Sequence, residues 1–300
     1  MARDGDAKWR TGESARWLQN RRLGADSCGV LARLLRLIAV VLAGLLLGVG
    51  AYVALIALGV VPNPLDPVIG GDIALARSTR PGLRVLFVGN SLTYYHDMPE
   101  MVGRLAAADP GPQPLIVVSY TKGGARLSDF AGDGRLARLL REVRWDDVVL
   151  QEQSKIPSLP PAERAQLMDP AARVLDSRIT AAGARTLLFM TAGYEHGNGW
   201  GDSYQAMQLR LYQGYLAVGS ELGAGVVPVG LAWEQAHLRQ PDLGLWSWDG
   251  THPSTAGSYL DACMFYAALT GRSPVGDPYT AGLDPGQARF LQKTAAGATA

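Results

Sequence analysis

From position 37 to position 61 the chain carries no charged side chain and one polar group, the Tyr52 hydroxyl, before Pro62 ends the run. At about 1.5 Å per residue such a helix reaches roughly 37 Å, beyond the ~30 Å of a bilayer's hydrocarbon core. A soluble core helix with no polar face over this length is unusual, so the pattern predicts a transmembrane helix over 37–61. Farther on the pattern alternates. Short apolar, β-branched runs at 83–88, 114–119, 147–150, 185–191 and 225–231 predict buried strands. Helical stretches are expected near 98–107, 127–143, 162–182, 203–222 and 254–269, and Asp284-Pro285 opens a closing helix to about Lys293. Five strands alternating with helices imply a parallel sheet covered on both faces, and such sheets bind ligands at the carboxyl ends of their strands.

These elements divide the chain into a polar, basic tail over 1–36, the span, a linker over 62–80, a globular domain over 81–276 and a C-terminal helix and tail over 277–300. Three prolines and the Gly70-Gly71 pair mark the linker. The apolar run is too long, and its lead too long, for a cleaved signal peptide, so it reads as an uncleaved signal anchor. Arg3, Lys8, Arg10, Arg16, Arg21, Arg22, Arg33 and Arg36 precede it, against Asp4, Asp6, Glu13 and Asp26. The positive-inside rule then puts the N-terminus in the cytoplasm and the domain outside it.

Charge narrows the function classes. A formal net charge of +1 with no basic patch in the globular part lacks the footprint of a nucleic-acid binder. Cys28 and Cys263 would lie on opposite sides of the membrane, so no disulfide framework is expected, and Cys263 reads as a small core residue. His96, His196 and His237 are scattered without ligand spacing, and no metal site is expected.

Two segments carry candidate chemistry. Val85-Leu86-Phe87-Val88-Gly89-Asn90-Ser91 is a strand running into a small-residue turn that ends in a hydroxyl. Ser91 is there either a nucleophile, whose own N–H would face an oxyanion, or a plain helix cap. Downstream, Asp249-Gly250-Thr251-His252-Pro253 offers a carboxylate and an imidazole on one loop, with Asp249 orienting the ring or capping the turn. Together they hold the Ser, Asp and His that an acyl-transfer enzyme needs.

On these residues the chain resembles the SGNH hydrolases, also called the GDSL esterases and lipases, across about 82–276. The family's first block reads Gly-Asp-Ser-Leu or Gly-Asn-Ser-Leu, as in Gly89-Asn90-Ser91-Leu92, and its last reads Asp-x-x-His-Pro, as in Asp249 to Pro253. The resemblance implies a flavodoxin-like three-layer α/β/α sandwich and a triad in which Ser91 is the nucleophile, His252 the base and Asp249 its orienting acid. It also implies a glycine oxyanion donor, aligned with Gly124 and with Gly123 as the alternative. The third block departs from the usual Gly-x-Asn-Asp: here Leu150-Gln151-Glu152-Gln153-Ser154 stands, as in a subgroup of the family, and Gln153 takes the place of the asparagine donor.

Asn90, Tyr94 and Trp248 are candidate substrate contacts. Trp246 and Trp248 would flank the approach to Asp249, at least one of them as core. Gly201-Asp202-Ser203 resembles the signature in letters but follows no strand, so Asp202 or Ser203 is expected to cap a helix. Glu195 and His196 face the expected site without an assigned role. The expected activity is a membrane-anchored serine esterase acting on a small-molecule, glycan or lipid ester, without cofactor. An O-acyltransferase with the same triad and a silent carbohydrate-binding domain remain open as alternatives.

Overall fold

The computed structural model describes residues 34–55 and 66–298. Most of the expected basic tail, positions 56–61 of the expected span and positions 62–65 of the expected linker lie outside these. Helix α1, Leu34–Leu55, has a mean hydropathy of 2.5 over 22 residues and is long and apolar enough to cross a membrane. It belongs to a first unit that ends at Asp66, and a second unit begins at Pro67.

In the second unit β1 (Val68–Gly71) and α2 (Ile73–Arg77) precede β2 (Leu83–Gly89), α3 (Ser91–Tyr94) and α4 (Met98–Ala108). Next come β3 (Leu115–Thr121), α5 (Leu127–Ala131), α6 (Gly134–Glu142), β4 (Asp147–Leu150), α7 (Pro161–Leu167) and α8 (Asp169–Ala181). They are followed by β5 (Arg185–Phe189), α9 (Tyr204–Leu222), β6 (Gly225–Val227), α10 (Val229–Arg239), α11 (Thr255–Thr270) and α12 (Pro285–Ala298). The sheet order is β1-β3-β2-β4-β5-β6, with β1 antiparallel to β3 and all other pairs parallel. Five parallel strands in this order form a doubly wound sheet with β2 inside it.

Strand β2 shows why these runs are apolar throughout. Its Leu86 and Val88 enter a cluster with α5, α6, α8 and α9, whereas Val85 and Phe87 enter the opposite cluster with α4, α10, α11 and α12. Alternate side chains meet different helical layers, so neither face can be polar.

The fold class is the expected one, with four differences of detail. The sheet has six strands because Val68–Gly71, read as linker, forms an antiparallel edge on β3. Its prolines precede the strand, and Gly70 and Gly71 permit close approach: a Cβ at Gly71 would lie 2.4 Å from the Val117 carbonyl oxygen. The strand expected over 225–231 ends at Val227; Pro228 turns the chain into α10, whose Val229, Ala232, Trp233 and Ala236 recur at helical spacing and are buried. The helices expected over 127–143 and 162–182 are each two, broken before Asp133, which caps α6 through Arg135 N–H, and at Met168, ahead of Asp169-Pro170. Finally α12 is part of the core, since Ala288, Leu291 and Ala295 are buried in the α11 cluster.

Candidate active site

The sheet brings three loops together. Val88 pairs with Leu150 and Gly89 with Thr121, so the segments after β3, β2 and β4 leave side by side from the carboxyl edge. Ser91, Gly124 and Gln153 each lie two or three residues past these registered pairs.

The Ser91 turn is held from below. Gln151 is fully buried, and its Oε1 accepts from Asn90 N–H at 2.8 Å and from the Thr93 hydroxyl at 2.9 Å. Gly89 is required by this approach: a Cβ there would sit 2.2 Å from Thr93 Oγ1 and 2.6 Å from Gln151 Oε1. Asn90 is 3% exposed; its Oδ1 accepts from Leu92 N–H and its Nδ2 donates to the Ala125 carbonyl at 3.0 Å. Asn90 thus shapes the turn and ties it to the β3 loop. The Asn90 carbonyl accepts from Thr93 and Tyr94 N–H. Among the described residues nothing accepts from the Ser91 N–H, the first amide of α3.

The β3 loop turns at Gly124, whose φ of +66° favours glycine, with open space where a Cβ would stand. Among the described residues neither Gly123 nor Gly124 N–H has an acceptor. Tyr94 lies over this turn, since a Cβ at Gly123 would come within 3.2 Å of its hydroxyl. In the β4 loop, Gln153 Oε1 accepts from Lys155 N–H at 3.0 Å and Nε2 makes a long 3.3 Å contact to Ser154 Oγ, leaving amide capacity unused. Glu152 between them is fully buried, and its Oε1 accepts from Leu127 N–H at 3.1 Å and Gln153 N–H at 2.6 Å, joining the two loops. Burial pushes the Glu152 carboxyl up to about 7, against those two donors.

The loop between α10 and α11 completes the site. His252 Nε2 lies 2.9 Å from Ser91 Oγ, and His252 Nδ1 lies 2.6 Å from Asp249 Oδ2. Asp249 Oδ1 also accepts from Thr251 and His252 N–H, at 2.9 and 3.0 Å. Partial burial raises the Asp249 carboxyl, but the imidazole and these two amides outweigh it and hold it at about 2. An ionised Asp249 accepts the Nδ1 proton, which leaves Nε2 to accept from the Ser91 hydroxyl. Ser247 closes the loop: its N–H donates to the His252 carbonyl at 2.8 Å and its hydroxyl to the Pro253 carbonyl at 2.8 Å.

Tyr95 stacks on His252, with ring centroids 4.2 Å apart and planes 9° apart. Its carbonyl accepts from Ser258 Oγ of α11 at 3.1 Å. The next two residues, His96 and Asp97, are both left-handed at φ 52° and 54°, which swings the chain away into α4. Two such residues in succession cost roughly 1 kcal/mol or more each, and strain of this kind gathers at sites.

The other candidates separate. Trp246 is 9% exposed, donates to the Gly193 carbonyl at 3.0 Å and meets Trp233 and Tyr204 edge-on, so it is core. Trp248 is 98% exposed. Ser203 caps α9 through Ala206 N–H, and Asp202 pairs with Arg210 at 2.5 Å. Glu195 N–H donates to the Gly250 carbonyl at 2.9 Å, joining the β5 loop to the Asp249 loop. Gln151 was not singled out as a site residue by the sequence; the Gln in the third block was the available signal. Among the described residues no cluster of three or more His, Cys, Asp or Glu could hold a metal ion. A cavity of about 220 Å³ beside Leu83, Leu115, Tyr266 and Arg272 lies at the opposite edge, where β2 and β3 begin.

No protein-family model matches the chain, and no curated protein matches it. Solved structures do. A candidate SGNH hydrolase from Slackia heliotrinireducens matches with a TM-score of 0.52 at 29% identity, over 63% of this chain and 100% of its own. A DUF4886 family protein from Bacteroides uniformis ATCC 8492 matches with a TM-score of 0.61 at 18% identity, over 73% and 95%. At that identity the second match speaks for the fold alone.

Proposed function

We propose that this chain, a member of the SGNH hydrolase family, is a membrane-anchored serine esterase whose nucleophile is Ser91. The observation that carries this reading is the unbroken relay from Ser91 Oγ through both nitrogens of His252 to Asp249, at 2.9 and 2.6 Å. In the reaction His252 Nε2 takes the hydroxyl proton as Ser91 Oγ bonds to the ester carbonyl carbon. The resulting oxyanion faces the Ser91 and Gly124 amides, which have no other acceptor among the described residues, and the Gln153 side-chain amide. His252 returns the proton to the departing alcohol oxygen, leaving an acyl-enzyme. Water then gives a proton to His252 and its oxygen to the acyl carbon, and Ser91 recovers its proton as the acid leaves.

Asp249 stays ionised throughout and holds the ring in the productive tautomer, while Tyr95 fixes its tilt. Helix α1 would anchor the enzyme, and the cations before it favour a cytoplasmic N-terminus with the catalytic domain on the other side. The substrate class is an ester presented there, on a small molecule, a glycan or a lipid.

The test is turnover of p-nitrophenyl acetate and longer p-nitrophenyl esters by the full chain in detergent. Ser91→Ala is expected to remove at least about 10³-fold of kcat while leaving the circular dichroism spectrum unchanged. Retained turnover would put the nucleophile elsewhere.

A further inference from the structure

Five tryptophans lie among the described residues, and they split sharply. Trp145, Trp233 and Trp246 are buried at 2, 3 and 9% exposure, whereas Trp200 and Trp248 stand at 107 and 98%. Both exposed indoles are on the carboxyl edge of the sheet, one in the β5 loop and one beside Asp249. They are also presented alike. Trp248 is the second residue of the turn closed by Gly250 N–H to the Ser247 carbonyl at 3.0 Å, and Trp200 the second residue of the turn closed by Asp202 N–H to the Gly199 carbonyl at 3.2 Å.

Both turns are fastened at their bases. Asp202 pairs with Arg210 of α9 at 2.5 Å and accepts from Asn198 N–H at 2.7 Å. The Ser247 turn is the one that carries the triad's acid. The two loops are joined by the Glu195 to Gly250 hydrogen bond, and a Cβ at Gly250 would lie 3.2 Å from the Glu195 carboxylate. Beside this junction the Glu195 and His196 side chains are 42 and 88% exposed. The rim of the site therefore offers two flat apolar faces held on secured turns, with exposed hydrogen-bonding groups beside the junction of their loops.

The proposal rests on the esterase reading and names its substrate class. We infer that Trp200 and Trp248 are stacking surfaces for sugar rings, and that the acyl group removed at Ser91 is carried by a neutral oligosaccharide or polysaccharide. A pyranose has C–H faces that lie on an indole and hydroxyls that suit a carboxylate or imidazole, so it uses both kinds of group. A long acyl chain needs an enclosed apolar groove, yet here Asp249 and His252 are each 24% exposed at the side chain and the nearby indoles stand in solvent. An anionic lipid surface attracts cations, whereas the groups at this rim include the Glu195 and Asp249 carboxylates.

The experiment compares two substrates with the full chain in detergent: p-nitrophenyl acetate, and a panel of O-acetylated β-1,4-linked oligosaccharides. For Trp248→Ala and Trp200→Ala, the ratio of kcat/KM on the best saccharide to kcat/KM on p-nitrophenyl acetate is expected to fall about tenfold, chiefly through KM. Trp200→Phe and Trp248→Phe should recover most of it. An unchanged ratio, an equal loss on both substrates, or quenching of these two indoles by brominated lipid in reconstituted vesicles overturns the assignment. Ser91-dependent turnover of p-nitrophenyl acetate with none on any acetylated saccharide also overturns it, while the esterase reading stands. Calorimetric binding of the oligosaccharides to Ser91→Ala, lost in the tryptophan variants, supports the platform even if wild-type protein hydrolyses neither ester, which would sink the esterase reading alone.

Discussion

Ser91 and His252 meet at 2.9 Å, yet the two sides of that contact are built in opposite ways. The serine turn is fixed from the interior of the sheet: Gln151 and Asn90, both buried, clamp it to β4 and to the β3 loop. The histidine loop is fixed from within itself, by Asp249 accepting from its own turn and by Ser247 closing its base. From outside, Tyr95 stacks on the imidazole and one β5-loop amide, Glu195 N–H, holds the Gly250 carbonyl. One partner is placed by long-range packing and the other by local hydrogen bonds, so damage to the two sides should read out differently.

The largest difference is expected at the acid. Asp249→Asn should lower kcat by about 10³- to 10⁴-fold, because an amide no longer enforces the Nδ1–H tautomer, while the urea midpoint moves little for an exposed loop. A large stability loss would show that the loop is not self-contained. The two glutamines of the β4 loop sharpen the contrast. Gln153→Ala should lower kcat ten- to a thousandfold with stability retained if its amide meets the oxyanion. Gln151→Leu should instead lose about 2–5 kcal/mol in urea titration, since it strands the Asn90 N–H and the Thr93 hydroxyl. If the two variants behaved alike, the division of labour between them would be wrong.

Tyr95→Leu should be milder. Removing a ring stack worth about 0.5–1.5 kcal/mol predicts a two- to tenfold lower kcat, with KM nearly unchanged. The smallest effect concerns pH. Glu152 is raised to about 7 by burial; Asp261, on α11, is raised to about 8 by burial despite accepting from Trp233 Nε1. Each binds its proton more tightly folded than unfolded, so the folded state holds extra protons from about pH 4 up to these values and stability falls as pH rises through that window. Thermal melts should therefore give a lower Tm at pH 8 than at pH 5. Glu152→Gln and Asp261→Asn should each flatten the slope, and an unaltered slope in both would remove these carboxyls as its cause.

What could be read in the sequence follows the same local and long-range division. The two blocks around Ser91 and His252 are short, contiguous patterns, and the parallel strands announce themselves because both faces of each are buried. Gln151 could not be recognised as the clamp, because its role depends on β2 and β4 being neighbours. Tyr95 stacks on His252 only because segments far apart in sequence meet in the fold, which residue type alone does not foretell. Strand β1 was hidden among prolines that turn out to precede it, and α10 behind an apolar run read straight through Pro228. Trp246 and Trp248, two residues apart, differ completely in exposure because distant aromatic rings enclose only the first.

Ser91 and His252 lie 161 positions apart, which also imposes an order in time. At about 5–20 residues per second of synthesis, roughly 10–30 s separate Ser91 from His252. Until α11 has been made and packed on β2, the hydroxyl has no proton acceptor and the nascent chain carries an inert serine. On the proposed mechanism reactivity arrives with completion of the fold, so a chain truncated before His252 would be harmless to the esters around it.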